Sequence, residues 1–157
     1  MNWVLKKSKK FSFHTDLREV TFPFKEEIQK FNWLISDLAF IKGDLVSIPL
    51  NYEQDYFLLS PEQFLNLALT DTQIIWGAIL AIPTEIELRL NDEDLPYVEG
   101  NEKIWNDGNI QLNEAVIEID CYDSSFTIVK FKSTILSDKF REYFPEAIGL
   151  SKFRSKY

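Results

Sequence analysis

The chain has 157 residues, 45% of them apolar and 15% aromatic, enough to close one hydrophobic core and too much for a disordered chain. Its formal charge is −8, a field that disfavours nucleic acid as a partner. No run of about eighteen apolar residues exists to span a membrane, no apolar segment follows the N-terminal lysines to make a signal peptide, and a lone cysteine, Cys121, fits a reducing cytoplasm.

Trp3-Val4-Leu5 is a short apolar patch followed by lysines up to Lys10. Phe11 and Phe13 alternate with Ser12 and His14, which predicts an edge strand over 10–14. Thr21, Pro23, Glu26 and Glu27 read as a helix start, and Phe24, Ile28 and Phe31 share one face of a helix near 23–31. Asn32 to Ile41 reads as a strand of imperfect alternation, with Asp37 on the same side as Trp33 and Ile35. Lys42-Gly43-Asp44 is a turn signal, and Leu45 to Leu50 returns as the second strand of a hairpin. Tyr56 to Leu59 is a short third strand. Ser60-Pro61-Glu62 then opens a helix near 61–69, with Phe64, Leu65, Ala68 and Leu69 as its apolar stripe.

The central element is Gln73 to Pro83, the longest stretch without a charge. It does not alternate, so a strand covered on both faces is expected, with Gly77 allowing a close approach and Pro83 ending the ladder. Ile86, Leu88 and Leu90 alternate with Glu85, Glu87 and Arg89 in a strand pattern with one wet face. From Asn91 to Gly108 turn signals crowd and regular structure is hard to find. Such a stretch is usually functional or mobile, and its Tyr97, Val98, Ile104 and Trp105 must pack or bind something. Glu114 to Tyr122 and Phe126 to Lys132 form a hairpin about Asp123-Ser124-Ser125. Ser133 or Thr134 opens a helix near 134–144 with Leu136, Phe140, Tyr143 and Phe144 on one face. A basic tail, 151–157, is expected to fray. The order of elements predicts a single α+β domain over 1–157 with a mainly antiparallel sheet.

The charge is segregated. Residues 43–129 hold seventeen Asp or Glu against two basic residues, Arg89 and Lys103, while both ends are mildly basic. A centre of that sign attracts basic proteins. The catalytic kit is thin. One histidine, His14, and one cysteine, Cys121, are too few for a structural zinc site, and Cys121 reads as a buried structural thiol. The acids Asp92, Glu93 and Asp94 lack the spacing of a calcium loop, so no metal and no cofactor is expected. There is no phosphate-binding glycine loop, nucleophile elbow or dinucleotide fingerprint. A carboxylate-dependent hydrolase remains an alternative, and it requires two acids in a cleft, for example Glu118 and Asp120. A self-associating domain is a further one.

Dense acid with interspersed aromatics suits a tight binder of a basic protein, in which charge speeds encounter and aromatics supply affinity. On that reading the partner-binding residues are Asp92, Glu93, Asp94, Tyr97, Glu99, Glu102, Trp105 and Asp107. In size, charge, missing catalytic motifs and the stretch from Asp92 to Asp107, the chain resembles small acidic bacterial immunity proteins, the cytoplasmic antidotes to contact-dependent and other polymorphic toxins. The resemblance implies a non-enzymatic toxin inhibitor, a monomer or weak dimer, whose partner is a basic toxin domain such as a nuclease.

Overall fold

The uncharged stretch Gln73–Pro83 is a strand, β4, paired on both sides, and every residue from Gly77 to Ile82 is buried. Isoleucine-rich composition favours the pleat, and the absence of polar alternation matches the two covered faces. Gly77 lies opposite the break in the β2–β4 pairing, and a Cβ there would lie 3.0 Å from Ile74 Cγ2, a tight approach that the side chain would have to yield to. The computed structural model describes residues 1–41 and 54–154. The turn at Lys42-Gly43-Asp44 and the strand expected at Leu45 to Leu50 lie outside those residues.

Around β4 the described residues build one antiparallel sheet from β1 (Asn2–Leu5), β2 (Phe31–Ile41), β3 (Tyr56–Leu59), β5 (Ile117–Tyr122), β6 (Phe126–Phe131) and β7 (Ile148–Gly149). The order across it is β3-β2-β4-β5-β6-β1-β7. The expected α+β class with an antiparallel sheet is therefore what the chain adopts. The β5–β6 hairpin turns where expected, pairing Tyr122 with Phe126.

One face of the sheet carries Trp33, Ile35, Ile79, Ala81, Ile117, Ile119 and Val129, and three helices cover it: α1 (Leu17–Thr21), α2 (Pro61–Ala68) and α3 (Thr134–Tyr143). α2 starts as its sequence predicts. The Ser60 hydroxyl accepts from Gln63 N–H at 3.2 Å, and Gln63 Oε1 accepts from Ser60 N–H at 2.8 Å, a closed capping box with Pro61 behind it. Phe64 on α2 stacks on Trp33 of β2 with ring centroids 3.8 Å apart. Ser133 caps α3, and Phe140 and Phe144 are wholly buried.

The other face carries Val4, Leu34, Ala78, Leu80, Ile82 and Ile128. Its cover is residues 84–116, together with α4 (Leu150–Arg154). Val98, Ile104 and Ala115 from the long segment, and Leu150 and Phe153 from the C-terminus, are buried there.

Four expectations are corrected. Residues 10–14 form turns, and the N-terminal strand is Asn2–Leu5, where Val4 and Leu5 have cross-strand partners on β6 to bury against. The helix expected near 23–31 is α1 followed by two 3₁₀ turns, Phe22–Phe24 and Ile28–Lys30, because Phe31 is extended and already belongs to β2. The alternating residues 84–90 pair with no strand, since after Pro83 the ladder loses a donor and β4's neighbours run out. Of the tail 151–157, the residues up to Arg154 are helical and Phe153 is buried, stacking on Trp105 at 5.8 Å, while residues 155–157 lie outside the described residues.

Candidate functional site

The site begins with an irregularity in β2. Pairing of β2 with β4 slips between Ser36 and Ala39, and Asp37 takes a left-handed φ of 53°. A bulge of this kind re-aims a side chain. Asp37, aligned by simple alternation with Trp33 and Ile35, turns instead to the second face. Its Oδ2 accepts from Val98 N–H at 2.7 Å and from Glu99 N–H at 2.9 Å. Ser36 adds a third tie, donating its hydroxyl to the Pro96 carbonyl at 2.6 Å. The irregular segment 92–99 is thereby fastened alongside the bulge.

Between the two lies a groove of about 550 Å³. Asp37, Asp55, Asp92, Glu93 and Glu99 line it, with Trp76, Phe57 and Tyr97 among the carboxylates. Tyr97 is 49% exposed. Among the described residues, none of these five acids is ion-paired with a lysine or arginine. The groove therefore presents uncompensated negative charge beside aromatic surface, which suits a cationic side chain from a partner. No group of three or more His, Cys, Asp or Glu among the described residues is arranged to hold a metal.

Of the eight residues picked from the sequence, Asp92, Glu93, Tyr97 and Glu99 meet in this groove. Asp94 lines a smaller neighbouring hollow of about 270 Å³, with Lys103 on its wall. Glu102 and Asp107 are exposed and line neither. Trp105 is half-buried at the end of a 3₁₀ turn, Glu102–Trp105. Its ring stacks on Phe153 and meets Tyr122 edge-on at 5.1 Å, and Tyr122 in turn meets Trp76 at 4.7 Å. Trp105 thus reaches the groove wall through one ring. Asp37, Asp55 and Trp76 were not singled out by sequence. A lone acid inside the apolar run from Phe31 to Ile41 was the available signal for Asp37.

No family model, no curated protein and no solved structure matches this chain.

A second polar constellation lies beneath the cover of the same face. Glu118, Asp120 and Lys130 are each 0% exposed. Lys130 Nζ donates to Glu118 Oε1 at 2.6 Å and sits 3.1 Å from Asp120 Oδ2. The strand register dictates the meeting, since Lys130 lies directly across from Glu118 and next to the Asp120–Ile128 pair. Burial and the neighbouring Glu118 push Asp120 well above the usual carboxylate range. Burial opposes the charge on Lys130, but Asp120 and Glu118 outweigh it and hold its pKa up. Both shifts run toward balancing charge in a dry site, with Asp120 holding its proton more tightly than an exposed carboxyl does. Cys121, beside it in sequence, is buried on the opposite face, and burial followed by the charge of Asp120 pushes its thiol up, the state of an inert structural cysteine.

Proposed function

We propose that the protein is a non-enzymatic acidic binding protein that neutralises a basic protein partner, most simply as the cytoplasmic antidote of a bacterial toxin domain such as a nuclease. The observation that carries the reading is the groove: five carboxylates around Trp76 and Tyr97 with no ionic partner among the described residues, four of them from the acidic stretch 43–129. Charge of one sign in a concave site steers a basic partner and selects it, and the aromatic rings supply contact area once it has docked. The burial of Glu118 and Asp120 favours binding over hydrolysis. Those two acids are side by side, but Lys130 engages both and neither is exposed, so neither faces a cleft that substrate enters. No described helix is long and apolar enough to cross a membrane.

The test is affinity capture from the native cell, with a variant that neutralises three of the five groove acids (Asp92→Asn, Glu93→Gln, Glu99→Gln) as control. A basic protein held by the parent, lost by the variant and released as salt rises is the expected result. Equal capture by both chains, or binding indifferent to salt, would sink the electrostatic reading.

A further inference from the structure

The segment 84–116 has no strand or α-helix to set its position on the sheet. Its buried contacts, Val98, Ile104 and Ala115 on Leu80, Ile82 and Ile128, are apolar and non-directional. Such contacts tolerate sliding by a residue or two. The groove does not, because Asp92, Glu93, Tyr97 and Glu99 must stand opposite Asp37. Ser36 and Asp37 tie residues 96–99 to β2, and a further polar residue, Gln111, ties the segment to β5. Gln111 N–H donates to Glu118 Oε2 at 2.6 Å, and its side-chain Nε2 faces Glu118 Oε1 at 3.4 Å and Asp120 Oδ1 at 3.5 Å. Its Oε1 accepts from Tyr97 N–H at 3.0 Å and from Asn101 Nδ2 at 3.0 Å. Asn101, itself buried, donates from the same nitrogen to the Tyr97 carbonyl at 2.8 Å.

The amide of Gln111 is oriented by charge. Its donor end meets carboxylates and its acceptor end meets N–H groups, and the reverse orientation would set oxygen against oxygen. On the sheet side the anchor is immobile, since Glu118 is held by Lys130 in a dry site. We infer that Gln111 is a second positioning residue of the groove, a strut that registers residues 97–101 against the buried Glu118–Lys130–Asp120 cluster, on the β5 side, as Asp37 does on the β2 side. Buried ionic clusters are often no more stabilising than apolar side chains of the same volume, and their best-attested use is in specifying one arrangement among several. Here the apolar contacts supply the adhesion and the cluster supplies the address. The inference rests on the binding reading only for what the groove receives.

Amide hydrogen exchange on the isolated chain tests it. Two variants are compared with the parent: Gln111→Leu, and the triple replacement Glu118→Leu, Asp120→Leu, Lys130→Met. In Gln111→Leu, exchange at the amides of Tyr97 and Asn101 should rise about tenfold or more, while Ile79 and Ile119 in the sheet keep their protection. The triple variant should unfold at the same or a higher urea concentration than the parent and still lose protection at Tyr97 and Asn101. A merely structural role would move stability and local protection together. Unchanged protection at Tyr97 and Asn101 in Gln111→Leu overturns the inference, and so does a rise shared equally by Ile79 and Ile119. If the triple replacement does not fold, Gln111→Leu decides alone, since it leaves every buried charge paired. No partner takes part in the measurement, so its failure and the failure of the binding reading are separate results.

Discussion

Glu118 and Asp120 point to the same side of β5, and one ammonium group serves both. A dry site cannot hold the unbalanced charge, so Asp120 keeps its proton well above the usual range. The consequence for stability follows from the sign of that shift. Below the unfolded carboxylate pKa near 4, both states carry the proton and the native site is fully stabilised relative to the charged alternative. As pH rises from there through the folded pKa, the unfolded state releases its proton first and stability is lost. Asp120→Asn resembles the protonated form and has no proton to release. Its stability relative to the parent should therefore improve with rising pH, as urea melts at about pH 5 and about pH 8 would reveal. A constant difference between the two chains at both values would mean that Asp120 is ionised in the native state. Lys130 is also raised, so its contribution persists below its unfolded pKa near 10.4 and leaves this window undisturbed.

The bulge of β2 is the element on which the groove depends. Regular pairing would keep Asp37 on the helix-covered face among Trp33 and Ile35, where an unpaired carboxylate is costly. The slip turns it outward, and its carboxylate then satisfies two amides of a segment that has no ladder of its own. Asp37→Ala removes both bonds and places a Cβ-bearing residue without local hydrogen bonding at φ 53°. A loss of about 1–2 kcal/mol in urea unfolding is expected. Asp37→Asn keeps an acceptor oxygen and tolerates the left-handed conformation, so it should lose less than half as much. If alanine and asparagine cost the same, the carboxylate is not what fastens the segment. The Ser60–Gln63 capping box makes a contrasting case: it fixes where α2 begins and does so with residues three apart in the chain.

At the scale of the whole molecule, two pieces far apart in the chain complete the cover of the second face. The segment 84–116 and α4 meet where Trp105 stacks on Phe153, with Tyr122 and Phe126 of the β5–β6 hairpin against the same rings. Trp105 is therefore a joint between layers as well as a candidate contact. Trp105→Ala should lower stability by about 2–3 kcal/mol, less than a wholly buried tryptophan because part of the ring is exposed. Urea unfolding followed by circular dichroism measures it. An unchanged midpoint would assign the ring's contact surface to a partner rather than to the core.

Several features were readable from residues alone because their causes are local. The Ser60-Pro61-Glu62 start of α2, the serine cap of α3, the uncharged β4 and the β5–β6 hairpin each follow from neighbours within a few positions. The acidic character of Asp92 to Glu99 was equally plain. What the chain alone did not determine was which acids face one another. Asp37 joins Glu99 across a sequence distance of 62 because a bulge re-aims one side chain. Glu118, Asp120 and Lys130 look like the wet side of a hairpin until the segment 84–116 is laid over them, and only that covering makes their charges matter. The same holds for the pattern of residues 84–90, which reads as a strand but finds no edge to pair with beyond Pro83. Local chemistry sets turns, caps and the faces of single strands, whereas the partner of a buried charge and the walls of a groove are long-range facts that exist only once the layers have packed.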